Sequence, residues 1–107
     1  MSKTLKNVQA LIRKFEVRIS DHGYDELSSD NLFARDVVEG AIEAIVVEDY
    51  PNYPKGPCVL VLQRDRVKRP IHIVWGIPKG YTSPAVLITA YRPDPEVWEN
   101  DWLRRRK

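Results

Sequence analysis

Apolar residues are densest between residues 69 and 93. There, two runs rich in β-branched and aromatic residues, 71–75 and 86–91, flank a segment of prolines and glycines. This composition predicts two strands joined as an antiparallel hairpin. Both runs are apolar at nearly every position, so we expect central strands that are covered on part of both faces. The polar exceptions are the first candidates for a functional role, and they are His72, Thr89, Tyr91 and Arg92.

The first half of the chain shows helical spacing of its apolar residues, interrupted by one short strand. Residues 3–15 predict an amphipathic helix whose other faces are basic. A short strand at 17–20 precedes a second helix, which Ser20 or Asp21 could cap. A third helix is predicted over residues 34–44. The first half is therefore expected to supply mainly helices.

Strands dominate the second half, where we predict an edge strand at 46–50 and a buried strand at 58–63. The loop between them, 51–57, holds three prolines in seven positions. It cannot be regular structure, because proline lacks the backbone N–H that a helix or a ladder needs. A turn at 65–68 is expected to join the buried strand to the next one as a hairpin.

A closing helix is predicted after Asp94, because an acid followed by a proline is typical of a helix start. This helix would present Trp98 and Trp102, which are four residues apart, to the sheet. Consecutive strands joined by short turns favour an α+β fold, with an antiparallel sheet of about four strands and the helices packed on one face. The chain is expected to form a single domain, 1–107, in which 1–16 is the basic N-terminal helix and 17–107 the core.

Composition places the chain among ordinary globular domains. It has 107 residues, of which 43% are hydrophobic and 30% are charged. There is no apolar run of about 18 residues, so no transmembrane helix is expected. The N-terminus also lacks the apolar region of a signal peptide. The single cysteine, Cys58, excludes an internal disulfide and favours a reducing compartment, so we expect a cytoplasmic protein without membrane association.

Charge is strongly segregated along the chain although the net charge is only +2. Residues 1–18 carry +4, residues 19–50 carry −8, and residues 51–107 carry +6. A basic surface interrupted by one acidic segment can attract polyanions. The alternative interpretation is a solvated surface on which the charges happen to cluster.

Common cofactor and metal motifs are absent. The two histidines and the lone cysteine show no CxxC, HxH or HExxH spacing, so no metal site is expected. No glycine-rich loop resembles a phosphate-binding motif, and no GxSxG elbow is present. We therefore expect no cofactor, and histidine, tyrosine and arginine remain as the candidates for chemistry.

His22 lies at the start of a predicted helix directly after a strand, where backbone N–H groups favour an anion. A histidine there could move protons, although it could equally pack on the sheet or help to cap the helix. For His72, in the middle of a strand, the simpler interpretation is a buried histidine that is hydrogen-bonded to a neighbour. Tyr91 could act as an acid or base and Arg92 as a phosphate clamp. The alternative for these two is a cross-strand pair and a surface salt bridge.

Several short runs, in this order and spacing, resemble a known bacterial family. They are ISDH at 19–22, VVEGAI at 37–42, EDYP at 48–51, RPIHIV at 69–74, ITAYRPD at 88–94, and Trp98. The pattern is similar to the domain-of-unknown-function family numbered 4258, over roughly residues 17–105. That family resembles RelE-like and BrnT-like toxins of toxin–antitoxin systems. The resemblance implies a microbial-ribonuclease-like α+β fold and RNA cleavage, with His22, His72, Thr89 and Tyr91 at recurrent polar positions.

The sequence thus predicts a metal-independent endoribonuclease, because RNA supplies its own nucleophile, the 2′-hydroxyl. His22 would be the general base or acid, and Tyr91 or His72 its proton partner. The predicted phosphate clamp consists of Arg18, Arg92, Arg104 and Arg105. The expected partners are RNA, free or on the ribosome, a cognate antitoxin docked on the acidic segment, and a second copy in a homodimer. The rival hypothesis is a non-catalytic protein-interaction module of the same fold.

Overall fold

The computed structural model describes residues 2–107. Three helices precede most of the sheet, in the order α1, β1, α2, α3, β2, β3, β4, β5. A single 3₁₀ turn, Ala41–Glu43, extends the third helix. The bounds are α1 Lys3–Arg13, β1 Val17–Ile19, α2 Asp21–Ser29, α3 Ala34–Gly40, β2 Ile45–Tyr50, β3 Cys58–Arg64, β4 Pro70–Gly76 and β5 Ala85–Tyr91.

One sheet with the strand order β1-β5-β4-β3-β2 organises the molecule. The pairs β2–β3, β3–β4 and β4–β5 are antiparallel, as successive strands joined by short turns predict. The three-residue strand β1 lies parallel to β5, with Arg18 opposite Val86. The predicted α+β class is confirmed, but the sheet has five strands rather than about four and is mixed rather than wholly antiparallel. The parallel pair joins the first and the last strand of the chain, which no short turn connects.

The helices pack on one face of the sheet, as predicted. Side chains of α1, α2 and α3 form one buried cluster with alternate residues of the central strands, such as Val59, Ile73 and Leu87. Trp75 is fully buried in this cluster, and its Nε1 donates to the Gln63 side chain at 2.9 Å. We call this side of the sheet the helical face and the opposite side the outer face.

The predicted closing helix is absent. Asp94 does begin a turn, since its carbonyl accepts hydrogen bonds from the backbone N–H of Val97 and of Trp98, each at 2.9 Å. The chain then doubles back, and Trp98 forms a bridge with Arg105. Residues 94–107, which we call the C-terminal cap, cover part of the outer face, so tertiary packing prevails over the local helix signal.

Candidate functional site

The N-terminus of α2 is tied to β5 by Ser20. The Ser20 Oγ accepts the Gly23 N–H at 2.9 Å, which caps the helix, and donates to the Ile88 carbonyl at 3.0 Å. Gly23 permits this close approach, because a Cβ there would lie 2.9 Å from the Leu87 carbonyl oxygen. His22 is consequently held at the edge of the sheet beside β5.

His22 is accessible, with 65% of its side chain exposed. Its Nε2 lies 3.0 Å from Glu26 Oε1, one helical turn further on, and 3.4 Å from Thr89 Oγ1. A neutral ring that donates Nε2–H to Glu26 leaves Nδ1 free to accept a proton. A carboxylate that orients a histidine in this way is typical of histidines that act as general bases.

An irregularity in β5 lies directly beside His22. The register partners Trp75–Leu87 and Val74–Thr89 leave Ile88 as one extra residue on β5. Such bulges re-aim neighbouring side chains and are common next to active sites. The extra residue, Ile88, directly precedes Thr89, whose Oγ1 is the group on β5 that His22 reaches.

His72 lies in a different environment, because it is fully buried under the C-terminal cap. Its Nε2 is 2.7 Å from the Trp102 carbonyl oxygen and its Nδ1 is 3.1 Å from the Tyr91 hydroxyl. A carbonyl oxygen can only accept, so Nε2 carries the proton and Nδ1 accepts from the Tyr91 O–H. The Trp98 ring packs edge-on against the imidazole, with 4.4 Å between the ring centroids.

Burial sets the protonation of this pair. It lowers the pKa of His72, an effect that the Trp102 carbonyl only partly opposes. Burial likewise raises the pKa of the half-buried Tyr91 hydroxyl. Both groups are therefore neutral near pH 7, and the hydrogen bonds of His72 are satisfied within the protein. This geometry matches the simpler interpretation of His72 and makes it a residue that positions Tyr91.

Three of the four predicted clamp arginines are engaged with carboxylates. Arg92 Nη2 contacts Asp65 Oδ2 at 2.7 Å, and both side chains are largely covered. Arg104 pairs with Asp101 at 3.0 Å. Arg105 pairs with Glu48 at 3.0 Å and also lies over the Trp98 ring, 4.6 Å from its centroid.

Arg18 differs from these three, because it is exposed on β1 and forms no ion pair among residues 2–107. It lines a depression of about 360 Å³ on the part of the outer face that the C-terminal cap leaves open. We call this part the open half. It also includes Tyr53 and Lys55, which were not among the predicted site residues. Tyr50 and Tyr53, which lie beside and within the proline-rich loop 51–57, are the sequence signal that could have identified this part of the region.

The structure thus divides the predicted residues into two groups. His22 meets Thr89 at the open half, and His72 meets Tyr91 under the cap. Among the described residues, no hydrogen bond or ion pair joins His22 to the second group. Thr89 and Tyr91 nevertheless lie on the same face of β5, since they are opposite Val74 and His72.

Two further properties concern the described part of the chain. Within residues 2–107, no three His, Cys, Asp or Glu side chains are grouped so that they could hold a metal ion. No helix in the same range is long and apolar enough to cross a membrane.

The sequence matches one family model, described as Domain of unknown function (DUF4258), over residues 19–92. This range contains β2 to β5, the last residue of β1, and the residues His22 and Thr89, whereas α1 and the C-terminal cap lie outside it. Comparison with curated proteins and with solved structures finds no match in either set.

Proposed function

Because this chain belongs to the DUF4258 family, whose description names no activity, we propose its function from the site: a metal-independent endoribonuclease that acts at the open half of the outer face. The observation that carries this proposal is the exposed His22, which has a carboxylate partner and lies at the edge of a face that also presents an unpaired arginine. Cleavage of RNA through its 2′-hydroxyl needs only proton transfer and a charge that holds the phosphate.

Four residues have separate roles in the proposed mechanism. His22 Nδ1 accepts the proton of the 2′-hydroxyl while the 2′-oxygen forms a bond to phosphorus. The bond from phosphorus to the 5′-oxygen then breaks, and that oxygen takes a proton from the Tyr91 hydroxyl. Solvent water returns a proton to Tyr91 and removes the one that His22 has gained. Glu26 orients His22, and Arg18 holds the phosphate oxygens. The products are a 2′,3′-cyclic phosphate and a 5′-hydroxyl.

His72 acts through Tyr91 in this scheme, because its own ring is buried. Burial raises the pKa of Tyr91, so its hydroxyl is protonated at neutral pH. In the resting protein this hydroxyl donates to His72 Nδ1, and it turns to the leaving oxygen when it acts as the acid. Arg92, Arg104 and Arg105, which were expected to clamp phosphate, are paired with carboxylates, so this mechanism assigns the phosphate contact to Arg18 alone.

The cellular role that we propose is that of a cytoplasmic toxin in a toxin–antitoxin system. Support comes from the resemblance to RelE-like and BrnT-like toxins and from the charge pattern. The acidic segment, residues 19–50, would receive a basic antitoxin, and the basic surfaces would face RNA, free or on the ribosome. A homodimer is part of the same proposal.

Two observations favour the rival function, a non-catalytic protein-interaction module. His72 has both ring nitrogens satisfied, and three of the four predicted clamp arginines are already paired. If the open half binds nothing, these residues are explained by folding alone.

Cleavage of a defined RNA by the wild type and by His22→Ala, in the presence of a chelator, tests the proposal. The matched control is Asp25→Ala on the same helix, whose exposed side chain makes no hydrogen bond among residues 2–107. We expect His22→Ala to lower the rate by about 10²- to 10⁴-fold and Asp25→Ala to leave it unchanged. Loss of wild-type activity in chelator, or equal rates for wild type and His22→Ala, would refute the proposed mechanism. Absence of cleavage by any of them would favour the interaction module.

A further inference from the structure

The depression on the open half has an apolar floor and a basic rim. Its floor consists of side chains and backbone from β3, β4 and β5, including Cys58, Gly76 and Val86. Burial raises the pKa of the Cys58 thiol, so this group is neutral and adds to the apolar surface. The volume of about 360 Å³ is at the lower end of the range for small-molecule sites.

One wall of the depression is a rigid part of the proline-rich loop. Lys79 N–H donates to the Lys55 carbonyl at 3.0 Å, and Ile77 N–H donates to the Pro57 carbonyl at the same distance. Gly56 has φ 124, a conformation that side chains disfavour, and a Cβ there would lie 2.2 Å from the Ile77 carbonyl oxygen. These hydrogen bonds and the Gly56 conformation hold the loop against the segment after β4. The depression is therefore largely preformed.

The charged residues that line the depression are basic. Among the described residues, Arg18 and Lys55 line it and no aspartate or glutamate does. Neither cation forms an ion pair among the described residues. Tyr53, a residue that is 52% exposed, lies on the same rim. An apolar floor with an aromatic ring and two unpaired cations is complementary to a planar base that carries phosphates.

We infer that this depression is a nucleotide subsite. One unstacked base of single-stranded RNA lies on the apolar floor against Tyr53, and Arg18 and Lys55 hold the phosphates on either side. This inference rests on the proposed function and names the part of the substrate that is recognised next to the scissile bond. Ile88 lines the depression and precedes Thr89, the residue that His22 contacts. Strand β5 therefore connects the base subsite to Thr89, the residue beside His22.

Binding of a short 2′-O-methyl RNA tests the subsite apart from cleavage, because this RNA lacks the hydroxyl that would attack the phosphate. We would measure its affinity for the wild type, Tyr53→Ala and a control, Tyr81→Ala, by fluorescence anisotropy with a labelled tetranucleotide. Tyr81 is 71% exposed and does not line the depression. We expect Tyr53→Ala to weaken binding by about 5- to 100-fold, as the loss of one base stack does, and Tyr81→Ala to leave it within about twofold.

Arg18→Gln and Lys55→Gln should each weaken binding and reduce its dependence on salt concentration, because each removes one phosphate contact. Inorganic phosphate should compete only weakly, since it cannot use the apolar floor. An unchanged affinity of Tyr53→Ala, equal losses in both tyrosine variants, or no RNA binding by the wild type would overturn the subsite. RNA binding that depends on Tyr53, without any cleavage, would support the subsite and refute the endoribonuclease. Cleavage at an unchanged rate by Tyr53→Ala would support the endoribonuclease and refute the subsite.

Discussion

The two halves of the outer face of the sheet differ in whether their polar side chains have partners within the protein. Under the C-terminal cap, polar groups are paired: His72 is hydrogen-bonded on both nitrogens, and Arg105 is held by Glu48. On the open half, His22 is largely exposed and Arg18 has no carboxylate partner among the described residues. The same residue types thus stabilise the fold in one half and are available to a ligand in the other.

This difference shows that the type of a polar residue does not predict its role unless its burial is also known. Burial without a partner would cost free energy, so covered polar side chains acquire partners inside the protein. Exposed ones remain hydrated and can exchange water for a ligand at little cost. Apart from Tyr91, which the proposed mechanism uses as an acid, changes under the cap should therefore alter stability, and changes on the open half should alter function.

The largest effect on stability is expected from Trp98→Ala. Trp98 is 3% exposed and packs on His72, so its loss removes apolar burial and opens a cavity over the imidazole. We expect a loss of about 3–5 kcal/mol in the free energy of unfolding. Urea denaturation measures it, with Val97→Ala as the control, because Val97 is 43% exposed and should cost less than about 1 kcal/mol. Similar losses for the two variants would show that the cap is not packed as described.

Arg92→Gln should come next. The variant leaves the Asp65 carboxylate, 11% exposed, without its guanidinium partner. Burial would raise the pKa of Asp65, but hydrogen bonds from the Arg69 N–H and from Arg92 lower it, so the carboxylate is charged and needs these partners. We expect a loss of about 2 kcal/mol. The matched change at the exposed Arg35–Glu39 pair, Arg35→Gln, should cost about 0.5 kcal/mol or less in the same denaturation assay.

A smaller effect should appear as a dependence of stability on pH. The folded protein keeps His72 neutral and so lowers its pKa below the value of about 6.5 that it regains on unfolding. Below that pH the unfolded chain binds the extra proton, so stability falls as the pH drops from 7 to 5 and is fully retained above about 7. Glu48 and Arg105 also act on His72 and keep their charges across this range. Denaturation at several pH values should show a flatter profile for His72→Gln; parallel profiles would contradict the buried neutral histidine.

The smallest effect is predicted for the ion pair between Glu48 and Arg105 at the edge of the cap. The hydrogen bond from Arg105 lowers the pKa of Glu48 against the effect of burial, yet 57% of the Arg105 side chain is exposed. A double-mutant cycle with Glu48→Gln and Arg105→Gln should give a coupling of about 0.5 kcal/mol that shrinks in high salt. A coupling above about 2 kcal/mol would mean that this pair, rather than Trp98, anchors the cap.

Local sequence signals predicted most of the elements. The strands, the hairpins and the capping serine of α2 all follow from patterns within a few residues, and each was confirmed. The parallel pairing of β1 was not predictable in this way, because Val17 pairs with Ala85 across most of the chain. The prediction of a closing helix was wrong for a related reason. After one turn, packing of Trp98 on His72 outweighs helix propensity.

The candidate site was predictable only in part. The position of His22 at a helix start left open whether its ring would be available to a ligand or packed on the sheet, whereas the mid-strand position of His72 indicated its burial. No local pattern showed which arginines would meet carboxylates, since Arg92 and Asp65 are 27 residues apart and Arg105 and Glu48 are 57 apart. Tyr53 and Lys55 were missed because an irregular loop has no periodicity that assigns its side chains to a face.

The most direct test of the contrast between the two halves is the initial rate of RNA cleavage by Arg18→Gln and by Arg105→Gln, measured side by side with the wild type. Both variants lose one cation, and both should remain folded at the assay temperature. We predict that Arg18→Gln lowers the rate at least about tenfold, as loss of a charge-assisted phosphate contact does, and that Arg105→Gln stays within about twofold. A loss confined to Arg105→Gln, or equal losses in both variants, would contradict the assignment of function to the open half.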